Sequence, residues 1–232
     1  MKDASKKIFV LANSVKKRQR CVAGREVIKE SDGVEYWGEW IRPVTLHDEG
    51  AINPLECRLQ DGTNLVLFDI IQVPLTSNEN SPTQPENWYI QKGAQWRKIS
   101  TGSRAEAWDL VEAPKNLWLE AGVKQDRVTP EYLLSQKSHR SLYLIQPVNF
   151  RFFVEMNYLN NKTVRGLFKY NEYIYDFSMT DPLVRQKYFP DFPNVPLGTK
   201  VLEQKNDLLI CVSLTPVWNG YHYKIIASVI EE

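Results

Sequence analysis

The chain has 232 residues, 43% hydrophobic and 12% aromatic, enough to bury a proper core as one large domain or two small ones. A formal net charge of +1 argues against a protein that coats nucleic acid by bulk charge, and a charged fraction of 25% is ordinary for a globule. The longest apolar runs, such as 142–145 and 225–230, are far too short to span a bilayer.

The first elements read as a strand at 8–14 (IFVLANS), a basic turn at 16–20 (KKRQR), a second strand at 20–27 (RCVAGREV) and an aromatic third at 34–44 (VEYWGEWIRPV). Charge is concentrated here: residues 1–30 hold nine Lys/Arg and three Asp/Glu. Residues 65–75 (LVLFDIIQVPL) are apolar and β-branched, as expected of a strand buried on both faces. Residues 76–87 are polar and proline-containing, a long surface loop. Ala105, Trp108 and Val111 have helical spacing, and Pro114 ends that helix. A composition shift near 135–140 sets the expected domains at 1–137 and 138–232.

The second section alternates more cleanly. Phe152, Val154, Met156 and Tyr158 interleave with Arg151, Phe153, Glu155 and Asn157, the period of a strand. A turn at 160–162, a strand at 164–170, a turn at Asn171-Glu172 and a third strand marked by Tyr173, Tyr175, Phe177 and Met179 follow. Thr180 is the expected cap of a short helix at 181–189, with Asp181 and Pro182 in its first turn. After a proline-rich crossing come a strand at 208–214, an Asn219-Gly220 hairpin turn and a last strand at 221–230. Three meandering strands, a helix and two more strands are the order of an OB-fold. The first section is a looser version, its helix displaced towards the end. The predicted fold class is mostly β: two small OB-like β-barrels with short helices.

Seven blocks then point to a family: LANS at 11–14, RCVAG at 20–24, WIRPV at 40–44, FDIIQVPL at 68–75, SLYLIQPVNF at 141–150, TDP at 180–182 and CVSLTPVWNGYHYKIIASVI at 211–230. In this order, over nearly the whole chain, they resemble bacterial proteins described as dual OB-containing domains. The resemblance implies two OB-like barrels and a nucleic-acid or nucleotide-related role, in the company of mobile-element and phage-defence genes. It brings no catalytic residues.

Lys16, Lys17, Arg18 and Arg20 are the candidates for phosphate contact, because the loop between the first two strands of an OB-fold borders its binding face. A solubilising turn is the competing reading. Trp37 and Trp40, three apart on a strand, are expected on opposite faces; Trp37 is the base-stacking candidate and Trp40 packs inward or lies at the rim. Arg42 shares the face of Trp40 and could clamp a phosphate or carboxylate, or form a structural ion pair. Asn13 and Ser14, at the end of the first strand, either bond a ligand or cap the turn. His222 and Lys224 share a face of the last strand, as groove lining or as an outward polar edge.

Enzyme signatures are missing from the sequence. The three histidines, His47, His139 and His222, fit no zinc pattern, and there is no phosphate-binding GxxxxGK[ST] loop and no GxSxG elbow. Cys21, Cys57 and Cys211 are widely spaced, which suggests neither a disulfide framework nor a metal site and fits a reducing cytoplasm. No cofactor, metal or membrane partner is expected. The leading expectation is a non-catalytic module for nucleic acid, single-stranded or at an exposed end. The alternatives are a sensor holding a nucleotide or modified base between the barrels, and an adaptor for protein partners in a multi-gene system.

Overall fold

The computed structural model describes residues 4–16, 18–137, 140–157, 160–201 and 207–231. Contacts divide the chain into two compact units, Met1–Leu110 and Val111–Glu232.

The first unit opens with the expected meander: β1 (Ala4–Lys16), β2 (Gln19–Lys29) and β3 (Glu35–Val44). β4 (Asp69–Asn78), β5 (Asn87–Ile90) and β6 (Arg97–Thr101) follow. β3 runs parallel to β5, β5 pairs with β4, and β4 returns to β1, so the order β1-β2-β3-β5-β4 closes into a barrel. That is the strand order of an OB-fold. One length of β1 serves two partners: Ala4–Phe9 lies on β4, and from Ile8 onward it pairs with β2. Ile8, Val10, Val22, Ile41, Ile71, Val73, Leu75 and Trp96 fill the interior. Between β3 and β4, Ile52, Cys57, Leu59 and Leu65 plug the core from a loop region. The helix α1 (Arg104–Trp108) has the expected position, secured by a capping box between Ser103 and Glu106.

The second unit is built from β7 (Arg127–Val128), α2 (Pro130–Ser135), β8 (Leu142–Ile145), β9 (Val148–Met156), β10 (Lys162–Tyr170), β11 (Tyr173–Met179), α3 (Pro182–Tyr188), β12 (Leu209–Leu214) and β13 (His222–Ile230). The sheet order is β8-β12-β13-β11-β10-β9, with β11 and β13 parallel. β8 and β9 are the two edges, yet only Gln146 and Pro147 separate them. Together they do what β1 does alone, one half on β12 and the other on β10. Proline has no N–H for the ladder, so the strand breaks at that point. Asn219 (φ 48) and Gly220 (φ 80) make the expected turn before β13.

The expected boundary at 137/138 is displaced. Leu117, Trp118, Val128 and Leu133 belong to the second core, and β7 pairs with β13. Trp118 Nε1 also donates to the Arg140 carbonyl at 2.7 Å. Residues 111–137 are polar overall, so the composition shift falls after them; a few large apolar side chains place them in the second core.

The cap of α3 also shifts by one residue. Asp181, not Thr180, is the N-cap, with Pro182 at N1; its carboxylate accepts from Leu183 N at 2.8 Å and from Val229 N at 2.9 Å. Thr180 instead bonds the Ile226 carbonyl. Asp181 is buried, which pushes its pKa up against the hydrogen bonds that pull it down. Asp181→Ala removes a cap and strands a buried amide on β13. Urea unfolding should show a loss of about 2 kcal/mol, with Asp181→Asn losing less.

Candidate nucleic-acid interface

The β1–β2 turn is as short as a hairpin allows. Lys16 pairs with Gln19, so the two strands join through a tight turn in which Arg18 is described. Arg18 is exposed and holds the left-handed conformation at φ 67. Lys17 lies outside the described residues. Arg20 follows, half-buried, with its backbone bridged to Ile52 by hydrogen bonds of 2.7 and 2.8 Å. That bridge fixes the base of the turn to the barrel. The Arg20 charge also reaches the buried Cys57, opposing the burial that pushes this thiol up. Cys21 is half-buried on β2.

Behind the turn, the outer side of the meander carries rings. Ile8 and Val10 face the barrel core, so Phe9 between them lies on the opposite side of the sheet, where it is also fully buried; it pairs with Arg25 across β2 and stacks on Trp37 at 5.2 Å and on Phe68 at 6.0 Å. Arg25 pairs in turn with Trp40, lies over its ring at 5.9 Å and donates to the Gly38 carbonyl at 2.8 Å. Trp37 and Trp40 therefore share the outer side, contrary to simple parity. A register shift between Arg25 and Val27 places an irregularity in β3 between the two rings. Trp37 remains half-buried, one ring face on Phe9.

Other expected contacts lie below the surface. Trp40 is 2% exposed and Arg42 8%. Arg42 Nη1 donates to Asn87 Oδ1 at 3.2 Å, where β3 meets β5, and Asn87 in turn bonds Glu79 at 2.6 Å. Its role is to join two parallel strands. Asn13 and Ser14 are within β1, not at its end: Asn13 Nδ2 bonds the Leu65 carbonyl at 2.7 Å, and buried Ser14 contacts the Cys21 carbonyl. His222 and Lys224 do share a face, but it is the inner one, and each is 1% exposed. His222 Nδ1 lies 2.6 Å from the Thr215 carbonyl, and Lys224 Nζ donates to the Gln125 carbonyl at 2.7 Å.

Two surface features escaped the sequence reading. A cavity of about 560 Å³ in the first unit is lined by Arg58, Gln60, Gln91 and Gln95 among others. A smaller groove of about 170 Å³ in the second unit is lined by Arg151, Phe153, Leu167 and Lys200 among others. The alternation of β9 already turned Arg151 and Phe153 outward; Lys200 reaches them only through tertiary pairing. Among the described residues no His/Cys/Asp/Glu cluster suited to a metal ion occurs, and no helix is long and apolar enough to cross a membrane.

The family model described as "Dual OB-containing domain" matches residues 6–229. No curated protein sequence matches the chain. Among solved structures, the p204 HINb domain matches with a TM-score of 0.32 at 12% identity, covering 97% of each chain. The Ifi202 HINa domain in complex with 20bp dsDNA has a TM-score of 0.32 at 13% identity, covering 99% of this chain and 97% of that one. The tetrameric p202 HIN2 has a TM-score of 0.28 at 8% identity, covering 98% of this chain and 96% of that one. These are distant likenesses.

Proposed function

From the premise that the chain belongs to the dual OB-containing domain family, we propose that it is a non-catalytic module that binds single-stranded or end-exposed nucleic acid, in the bacterial defence or mobile-element setting that the family resemblance implies. The observation that carries this reading is the place of the cationic turn. The loop between strands one and two borders the ligand face of an OB barrel, and here its exposed tip carries Arg18 between Lys16 and Arg20. Half-buried Trp37, on the outer side of β3, adds a flat apolar surface near the binding strands. A near-neutral total charge is consistent with a confined patch rather than a polymer coat.

Fluorescence anisotropy of a labelled oligothymidylate against salt tests the proposal. Each single-strand phosphate contact contributes a slope of about 0.7 in log affinity against log salt. The variant Lys16→Ala, Lys17→Ala, Arg18→Ala, Arg20→Ala should bind about tenfold more weakly in low salt, with a slope reduced by up to about 3. Wild-type protein that ignores the oligonucleotide in low salt, or a variant that matches wild type, sinks the reading. The cavity beside Arg58, lined by polar and apolar side chains alike, supports a nucleotide-sensor alternative with its ligand in the first unit rather than between the barrels. Mononucleotides that raise the melting temperature, with no competition from oligonucleotides, would move the assignment there.

A further inference from the structure

The second barrel carries an aromatic–cationic groove on its outer wall. On β9, Phe152 and Val154 face the core, so Arg151, Phe153 and Glu155 face out. On β10, Val164 and Phe168 face the core, so Arg165, Leu167 and Lys169 face out. Register sets Leu167 beside Arg151 and Arg165 beside Phe153. The chain after α3 then returns along the free side of β9. Gly198 N bonds the Val154 carbonyl at 2.8 Å, Val154 N the Thr199 carbonyl at 2.9 Å, and Val201 N the Phe152 carbonyl at 3.0 Å. This irregular edge brings Lys200 opposite Phe153. The result is a cavity of about 170 Å³ whose lining includes the Phe153 ring, Leu167 and two exposed cations, Arg151 and Lys200.

Charge identifies the occupant. Arg151, Arg165, Lys169 and Lys200 stand on or beside this wall, against Glu155 and Asp176. Both carboxylates are engaged by Arg165, at 3.4 and 2.6 Å. Among the described residues the wall therefore carries more cations than carboxylates around a partly exposed ring, which suits an anionic chain with flat apolar units. A purely apolar protein segment would bring no negative charge towards the exposed Arg151 and Lys200.

We propose that this groove is a second contact for the same strand, resting on the nucleic-acid reading above: one unstacked base lies on Phe153 and Leu167, and the flanking phosphates meet Arg151 and Lys200. The site lies on OB strands one and two of the second unit. It is separate from the β1–β2 turn, and none of its residues belongs to the seven family-like blocks.

The test uses the full chain and the same labelled oligothymidylate. Phe153→Ala should weaken binding about tenfold, the scale of one lost base stack. The double variant Arg151→Ala, Lys200→Ala changes only exposed side chains; it should lower the salt slope by roughly 1.4, from two phosphate contacts. Melting temperatures of both variants check folding. If both bind as wild type while the β1–β2 turn variant is weakened, the groove is overturned and the nucleic-acid reading stands. Wild-type protein that binds no oligonucleotide overturns both. A Phe153→Ala variant that alters only a monomer–dimer equilibrium assigns the groove to a second copy and overturns the proposal as well.

Discussion

Gly24→Ala should unfold the first barrel or cost it about 3 kcal/mol or more, at the upper end of overpacking effects. Gly24 sits in the middle of the wall, paired with Val10 on β1 and Ile41 on β3. A Cβ there would lie 2.0 Å from the Phe9 carbonyl oxygen, 2.7 Å from its carbonyl carbon and 2.8 Å from Ile8 Cγ2. Two of those three atoms are backbone, so no rotamer change relieves the contact. β1 has a register shift between Val10 and Ala12 here, next to the stretch where it pairs with both β2 and β4. Adding a methyl group forces β1 off β2 at the point where the barrel closes. Since a domain is typically stable by only 5–15 kcal/mol, urea unfolding followed by far-UV circular dichroism should show an early or missing transition for this unit. Gly122→Ala is the control: its φ of 77 imposes strain, but nothing lies within 4 Å of the added carbon. A Gly24→Ala midpoint no lower than that of Gly122→Ala would refute the steric argument.

How much of this was legible in the sequence depended on whether a strand kept its period. β9, β10 and β11 alternate in full view, and the Asn-Gly turn fixes the last hairpin, so the second barrel reads directly. β5 and β6 do not: they have four and five residues, β6 is exposed along its length, and both exist because β3 and β4 offer them partners. Parity gave the wrong faces for Trp37 and Trp40 because it assumes an unbroken register, which β3 lacks. For His222 and Lys224 parity was right and the choice of face wrong. Tyr221 and Tyr223 were the more apolar pair, yet the inner positions went to residues whose polar tips meet carbonyls of Thr215 and Gln125. The candidate turn was legible as charge alone: a run of cations at 16–20 needs no tertiary information to be noticed. The second groove was not, because Lys200 joins Phe153 through a return path that no local pattern encodes.

Lys224 should make stability rise with pH. Its side chain is 1% exposed, 6.0 Å from the Phe177 ring centroid, and its nearest charges, Asp126 and Glu120, only partly offset the burial that lowers its pKa to about 7. The unfolded chain holds this proton to about pH 10.5. Between those values the unfolded state binds more protons than the folded one, so the free energy of unfolding increases with pH. The contribution is fully present above pH 10.5 and is lost as pH falls through about 7. The whole effect is on the order of 5 kcal/mol, of which about 2 kcal/mol should appear between pH 7 and 9. That window matters, because Cys57, Tyr132, Tyr170 and Tyr175 have raised folded values and lose stability as pH climbs through the alkaline range. Lys224→Met keeps His222 and an apolar stem of similar length but has no proton to lose, so its unfolding free energy should be flat from pH 7 to 9. Lys224→Arg keeps the charge at every pH in this range and should be destabilised throughout. Denaturant unfolding of the three proteins at stepped pH decides the matter; wild-type stability that is level or falling across pH 7–9 would show that the Lys224 ammonium finds more solvation inside the barrel than a single carbonyl provides.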